Sequence, residues 1–232
     1  MNIRGLSKTS LVDYPGRVTA VVFTGGCNLR CAYCHNPELA LNSSSLSKID
    51  EGEVLAFLKK RRGLIDGVTV TGGEPSIDRG LIPFLGKVRE LGLLVKLDTN
   101  GSSPGVIREC LSCGLADYIA MDVKTSPAKY KSLTGVDLPF EKILRTLDAI
   151  RESGVEYEIR TTCVPGLVTI DDISLIGEET GRVAFWYLQQ FVNVHSLLDP
   201  ETEKLSPYPV PFLQEMRDEA LKFSDRCVIR GI

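Results

Sequence analysis

The stretch that decides the fold is TAVVFTGGCNLRCAYCHN, residues 19–36. Its first part, 19–23, is a run of β-branched and apolar residues followed by paired glycines, which is typical of a buried strand. Three cysteines, Cys27, Cys31 and Cys34, come directly after it. The loops that follow the strands of an α/β barrel carry its active site. We therefore expect the three thiols on an active-site loop at the carboxyl end of a parallel sheet.

The rest of the chain alternates short apolar runs with segments of helical periodicity, which indicates βα units. Further strands are predicted at 68–71, 94–97, 118–121, 157–162 and 184–188, and helices at 51–62, 81–91, 104–113, 140–153 and 170–179. Because a closed barrel needs eight units, the α/β fold is predicted to be a partial, open (β/α)6 barrel. We expect one domain, 1–232, with its core at about 17–190. A last helix at 212–223 and a short strand at 227–230, within 207–232, would close one edge.

Composition and charge exclude several classes of protein. The formal charge of −3 and pI near 5.6 predict no clustered basic surface, so no nucleic-acid partner is expected. The first residues lack the apolar region of a signal peptide, and no apolar run approaches the ~18 residues of a membrane span. We therefore expect a cytoplasmic protein with no membrane partner. Seven cysteines, an odd number, suit a reducing compartment in which thiolates bind metal.

The cysteine spacing favours an iron-sulfur cluster. Three closely spaced thiolates bind three irons of a [4Fe-4S] cluster, and without a fourth cysteine in the loop one iron keeps an open position. The alternative is a structural zinc site, which needs a closed tetrahedral set of ligands. His35 is the available fourth ligand, but it is adjacent to Cys34 and has little room to reach the same ion.

Polar residues follow several other predicted strands, as expected if those strand ends share one rim. Gly72 and Gly73 permit close approach of a ligand to the backbone, and the carbonyls and the Glu74 carboxylate suit a cationic amine. Asp98 and Asn100 carry groups that hydrogen-bond ribose hydroxyls.

The pattern C-x3-C-x-aromatic-C, with Tyr33 as the aromatic residue, resembles the signature of the radical S-adenosylmethionine (SAM) superfamily. The resemblance implies that the open iron chelates the amino and carboxylate groups of SAM. Reduction then splits the cofactor into methionine and a 5′-deoxyadenosyl radical. The segment 72–75, Gly-Gly-Glu-Pro, is similar to the superfamily motif that holds the methionyl amino group. Tyr33 is placed with the cofactor by the same resemblance.

Together with the blocks 11–16 and 34–36, these motifs resemble the activating enzymes of glycyl-radical enzymes. The resemblance extends from about residue 7 to about residue 166. It implies roles for a further set of side chains: a monovalent cation at Asp98, Thr99 and Asp122, a cofactor carboxylate at Lys124, the cofactor at Arg160, and an incoming peptide at Asp13.

The blocks 5–16 and 34–39 look most like activating proteins of anaerobic ribonucleoside-triphosphate reductase, and pyruvate formate-lyase activases resemble the core motifs nearly as well. The expected activity is hydrogen abstraction from a backbone glycine of a partner enzyme, with electrons from a low-potential donor such as flavodoxin or ferredoxin. One alternative is radical modification of a small molecule or a nucleobase. The non-enzymatic alternative is an iron-sulfur or zinc binding module.

The remaining cysteines and a few residues near the sixth predicted strand can be interpreted as packing residues or as further candidates for the site. Free cysteine is often a small buried residue, so packing is favoured for Cys110, Cys113, Cys163 and Cys227, although a second metal is left open. Trp186 is expected in the core. His195 is a candidate for the substrate mouth, and Gln189 and Gln190 are candidates for contacts with adenine or peptide.

Overall fold

The computed structural model describes residues 1–41, 43–193 and 197–232. Within these residues the strands form one sheet in sequential order. Their bounds are β1 Ile3–Ser10, β2 Thr19–Thr24, β3 Gly67–Gly72, β4 Leu94–Thr99, β5 Tyr118–Asp122, β6 Glu156–Cys163, β7 Val183–Gln190 and β8 Ser224–Arg230. Strands β2 to β8 are parallel, and β1 runs antiparallel to β2.

At least one helix joins each consecutive pair of parallel strands, as parallel pairing requires. The helices are α1 Pro37–Leu41, α2 Glu51–Lys60, α3 Leu81–Glu90, α4 Pro104–Ser112, α5 Tyr130–Thr134, α6 Phe140–Ser153, α7 Ile170–Thr180 and α8 Val210–Ala220. None of the helices in the described part of the chain is long and apolar enough to cross a membrane.

The predicted partial α/β barrel is confirmed, with corrections at its ends. All six predicted strands and the terminal strand are present, the latter starting at Ser224 rather than at 227. The last helix begins at Val210 and ends at Ala220, not 212–223, because Pro211 is tolerated in a first helical turn. Strand β1 was missed and lies before the predicted start of the core. Its sequence, IRGLSKTS, is mostly polar because it is a half-exposed edge strand in which only Ile3 is buried.

The barrel is open between its two edge strands, β1 and β8, which do not pair with each other in the described residues. Apolar side chains fill the layer between the sheet and the helices. Trp186 is fully buried, as predicted, and its indole Nε1 donates to Oγ1 of Thr161 at 3.0 Å. The inner side of the sheet also buries charged residues, Lys96 and Glu158 among them. A buried charge needs an ion-pair or hydrogen-bond partner. The inside of the barrel is therefore lined in part by paired polar side chains.

Candidate active site

A cleft of about 260 Å³ lies where the strands end and the cysteine loop begins. It brings together all the cluster, cofactor and cation residues predicted from the sequence. They are Cys27, Cys31, Tyr33, Cys34, Gly72, Gly73, Glu74, Asp98, Thr99, Asn100, Asp122, Lys124 and Arg160. His195 lies outside the described residues.

Backbone hydrogen bonds to two other segments hold the cysteine loop, and an arginine side chain of the loop adds a third bond. The amide of Gly26 donates to the carbonyl of Leu39 at 2.7 Å, and the amide of Arg30 donates to the carbonyl of Thr134 at 2.7 Å. The guanidinium of Arg30 folds back over the loop and donates to the carbonyl of Cys27 at 2.7 Å. The loop is therefore fixed by tertiary contacts rather than by its own secondary structure.

The three thiols are free and differ in burial. Cys31 is buried and the other two are half-buried. Burial raises the pKa of the Cys31 thiol to about 11 and also raises the pKa of Cys27. Since a metal binds the thiolate, iron must displace the proton of Cys31 on binding.

This donor set fits a [4Fe-4S] cluster with one open iron. The other described cysteines do not line the cleft, so the set there is three. Within the described residues no three His, Cys, Asp or Glu side chains converge on a single ion. A cluster distributes its thiolates over separate irons and needs no such convergence. The Nε2 atom of His35 lies 2.8 Å from the carbonyl oxygen of Val192, so this ring is engaged elsewhere.

The paired glycines at the end of β3 are required for close backbone contacts within the protein itself. A Cβ on Gly73 would lie 2.0 Å from the carbonyl oxygen of Gly26, and a Cβ on Gly72 would lie 2.3 Å from the amide of Thr24. Gly72 also has a φ of 127°, which residues other than glycine rarely adopt. The amide of Glu74 donates to the carbonyl of Gly26 at 2.8 Å. The glycines therefore let the end of β3 support the start of the cysteine loop.

The carboxylate of Glu74 is a buried hub between two strand ends. Its Oε1 accepts from the amide of Ser76 at 2.9 Å and from Oγ1 of Thr99 at 2.8 Å. Its Oε2 accepts from the amide of Asn100 at 2.6 Å. Burial raises the pKa of Glu74 even though these hydrogen bonds lower it. The carboxylate thus fixes the loop after β4 relative to the end of β3.

The turn after β4 also reaches the cysteine loop. The amide Nδ2 of Asn100 donates to Oδ1 of Asn28 at 3.0 Å, and Nδ2 of Asn28 donates to Oγ of Ser102 at 2.8 Å. The Oδ1 atom of Asn100 accepts from the amide of Ser102 at 3.0 Å. Asn28 was missed by the sequence analysis, although it lies inside the cysteine motif.

A chain of alternating charges crosses the floor of the cleft. Lys96 donates to Asp98, and the guanidinium of Arg160 bridges Asp98 at 3.0 Å and Asp122 at 2.8 Å. Lys124 donates to the other oxygen of Asp122 at 2.8 Å. Burial raises the pKa of Asp122, but Arg160 and Lys124 lower it by more than burial raises it, so that the pKa is about 2. The pKa of Asp98 is lowered in the same way by Arg160 and Lys96.

Lys124 connects this chain to the cysteine loop. Its ammonium lies 5.9 Å from the ring centroid of Tyr33, within the range of a cation–π contact. Burial lowers the pKa of Lys124, but the Asp122 carboxylate raises it well above the ordinary value. The ammonium therefore stays charged at the side of the cleft where the thiols lie.

Asp13 lies in a second cleft, of about 490 Å³, whose lining is Val12, Asp13, Lys96, Arg160, Gln189 and Arg230. Arg160 and Gln189 line both clefts, so the two share a wall. Gln190 points away, and its amide donates to the carbonyl of Tyr208 at 2.7 Å. Sequence reasoning missed Lys96 and Arg230. A lysine inside an otherwise apolar strand was the available signal for Lys96.

The cysteines outside the loop are mostly packing residues. Cys110, Cys163 and Cys227 are buried, as predicted. Cys113 is exposed, so the packing prediction is wrong for it. The reason is that Cys113 is the C-cap of α4, beyond the helical turn that faces the core.

Comparison with known proteins gives a match between residues 21–174 and the radical SAM superfamily model. A protein of Methanocaldococcus jannaschii named for glycyl-radical enzyme activation is 33% identical over 99% of this chain and 96% of its own length. The pyruvate formate-lyase-activating enzyme of Clostridium pasteurianum is 34% identical over 71% of this chain and 69% of its own length.

Solved structures match the fold at low identity. SuiB of Streptococcus suis, bound to its precursor peptide SuiA, has a TM-score of 0.69 at 14% identity, over 91% of this chain and 48% of SuiB. The present chain therefore spans about half the length of SuiB. TYW1 with a lysine-pyruvate adduct has a TM-score of 0.63 at 18% identity, over 89% of this chain and 74% of that protein. These matches support the barrel architecture.

Proposed function

Because the chain belongs to the radical SAM superfamily, and within it to the glycyl-radical enzyme activating enzymes, we propose that it generates a glycyl radical on a partner enzyme. The observation that carries this proposal is the pair of adjoining clefts. One contains three free thiols, and the other is lined by the loop after β1 and by the end of β8 and shares Arg160 and Gln189 with the first. A partner's peptide loop would enter the second cleft and present its glycine to the first.

The residues of the first cleft suit a cluster and SAM. Cys27, Cys31 and Cys34 would hold the [4Fe-4S] cluster. Membership of the radical SAM superfamily implies that SAM is the ligand of this cluster. When bound, the cluster and SAM supply one-electron cleavage of the sulfonium, so that a hydrogen atom leaves the glycine Cα of the partner and ends on the 5′ carbon of 5′-deoxyadenosine. The electron would come from a low-potential donor such as flavodoxin or ferredoxin.

The chain's own groups would bind and orient the cofactor. The backbone at Gly72 and Gly73 would meet the methionyl amino group, and the ammonium of Lys124 would meet the carboxylate. Asn100 and Asp98 would face the ribose, beside Arg160 and Tyr33. In the protein alone, Asp98 and Asp122 already form ion pairs with Arg160, Lys96 and Lys124. A monovalent cation at Asp98, Thr99 and Asp122 would therefore have to compete with these ion pairs.

Two partner enzymes are candidates. The N-terminal and cysteine blocks favour anaerobic ribonucleoside-triphosphate reductase. The relative from C. pasteurianum, named for pyruvate formate-lyase, favours a partner of that type. A small-molecule substrate is the weaker candidate, because the second cleft lies at an open side of the barrel and is exposed at its rim.

The proposal is tested anaerobically. The protein is reconstituted with iron and sulfide and reduced, SAM is added, and 5′-deoxyadenosine is quantified with each candidate partner. We expect 5′-deoxyadenosine to form, the electron paramagnetic resonance (EPR) signal of the reduced cluster to shift on adding SAM, and a glycyl-radical doublet to appear with one partner. Turnover with a free metabolite and no doublet with either partner would contradict the proposal.

A further inference from the structure

The second cleft lies at the seam where the sheet fails to close. Asp13 and Val12 follow β1, one edge strand, and Arg230 ends β8, the other edge strand. Because β1 runs antiparallel to β2, the loop after β1 lies at the end of the sheet where β2 begins, whereas Arg230 lies where β8 ends. Both border one cleft of about 490 Å³.

Two charged residues in this cleft keep hydrogen-bonding capacity for a ligand. Lys96 and Arg160 are committed to the carboxylates of the first cleft, as described above. Asp13 accepts a hydrogen bond from Oγ of Ser10 and makes no ion pair among the residues the structure describes. A carboxylate has two oxygens and about four acceptor sites, so Asp13 retains room for donors.

Arg230 is held in place from two sides. Its guanidinium carbon lies 3.2 Å from the ring centroid of Tyr187, and its Nη1 lies 3.3 Å from Oε1 of the buried Glu158. Glu158 is held in turn by the hydroxyl of Tyr118 at 2.7 Å. The Arg230 side chain is still 33% exposed. A guanidinium has five N–H donors, so this stacked and oriented group presents free donors to the cleft.

We propose that Arg230 is a peptide-positioning residue, which donates to backbone carbonyls beside the target glycine while Asp13 accepts backbone N–H groups across the cleft. This inference rests on the proposed function. An acceptor and a donor that line one cleft match the two polar groups that every residue of an extended backbone carries. Val12, which lines the cleft, is 82% exposed and its neighbour Leu11 is 72% exposed, and both would contact the side chains of the same peptide.

The test uses the reconstituted protein with SAM under anaerobic conditions. The probes are fluorescein-labelled synthetic peptides centred on the radical glycine of pyruvate formate-lyase and of the anaerobic reductase, and the first readout is anisotropy. Substitution Arg230→Gln is expected to raise the peptide Kd about tenfold and the peptide KM by a similar factor, with a smaller change in kcat. Arg230→Lys keeps the charge but not the planar guanidinium group. Its peptide Kd is expected to lie between that of the unaltered protein and that of Arg230→Gln.

Arg226 offers a matched control on the same strand. It also lies over an aromatic ring, that of Phe185 at 5.1 Å, but does not line the cleft. Arg226→Gln is expected to leave the peptide Kd within twofold of the unaltered protein. Arg230→Gln deprives the buried Glu158 of a partner and could prevent folding. In that case the double variant Glu158→Gln/Arg230→Gln is used in place of the single variant.

Equal peptide Kd values for the Arg230 and Arg226 variants would overturn the inference and leave the proposed function standing. If the unaltered protein neither binds these peptides nor forms a glycyl radical on either partner, the proposed function itself fails.

Discussion

The side-chain amide of Asn100 donates to Oδ1 of Asn28 at 3.0 Å, so the turn after β4 holds the cysteine loop that follows β2. We expect Asn28→Leu, which loses this bond and the bond to Ser102, to lower iron retention about tenfold, as loss of an outer-shell partner does at other metal sites. The measurement is iron content after reconstitution and gel filtration. Asn28→Asp can still accept from Asn100 and from the Ser102 hydroxyl, and should retain more iron. Equal loss in both variants would show that the hydrogen bonds are not the cause.

Gly73→Ala is expected to displace the cysteine loop. The added Cβ would lie 2.0 Å from the carbonyl oxygen of Gly26, and backbone must move to relieve the contact. We expect a loss of about 1–3 kcal/mol in the free energy of unfolding, together with lower iron content. Gly86→Ala is the control, because Gly86 lies in α3 and its Cβ would meet nothing within 4 Å. That variant should gain about 0.5–1 kcal/mol from helix propensity. A Gly73→Ala protein with full stability and iron content would contradict the role of this close approach.

Glu74→Gln tests whether the buried carboxylate is needed as an acceptor on both oxygens. The NH2 group of glutamine would face the backbone N–H of either Asn100 or Ser76, because these two amides donate to different oxygens of Glu74. We expect a loss of about 1–3 kcal/mol by denaturant unfolding. The exposed Glu90→Gln should change stability by less than about 0.5 kcal/mol. If the two variants were equally stable, Glu74 would not be a structural hub.

The acid sensitivity of the fold should depend in part on Asp172. Its carboxylate accepts from Lys129 at 2.6 Å, from Ser126 at 2.6 Å and from both the amide and the hydroxyl of Thr169 at 2.8 Å. Burial raises the pKa of Asp172, but these bonds lower it more, so its folded pKa lies below the unfolded one. Its contribution is therefore complete above the unfolded pKa, about 3.9, and is lost as pH falls through the folded pKa.

We accordingly expect Asp172→Asn to be less stable than the unaltered protein by about 1–3 kcal/mol at pH 7, with the difference shrinking below about pH 4. Denaturant unfolding across this pH range measures it. The exposed Asp171→Asn is the control and should show little difference at any pH. A stability difference that stays constant down to pH 3 would contradict the assignment.

The cluster and cofactor residues of the first cleft were predictable because most of them lie in short motifs at the end of a strand or just after it. Parallel strands bring such positions to one rim whatever the details of packing. The reasons for some of these residues were not predictable. Gly73 is needed for its contact with Gly26, and Glu74 for its bonds to the turn after β4, and both contacts join positions far apart in the chain.

The second cleft was largely invisible in the sequence. Strand β1 has too few apolar residues to give a strand pattern, and its edge position is known only from the sheet order. Arg230 lies at the end of the last strand, more than two hundred positions from Asp13, and their common cleft follows from the curvature of the whole sheet. No local periodicity carries that information.

The most direct test of the central claim follows the hydrogen atom. The candidate partner is prepared with glycine deuterated at Cα, activated by the reduced, reconstituted protein with SAM, and the 5′-deoxyadenosine is examined by mass spectrometry. Direct abstraction predicts 5′-deoxyadenosine that carries a single deuterium, a glycyl-radical EPR signal on the partner, and neither product with the Cys31→Ala variant. Unlabelled 5′-deoxyadenosine with no radical on either partner would contradict the account.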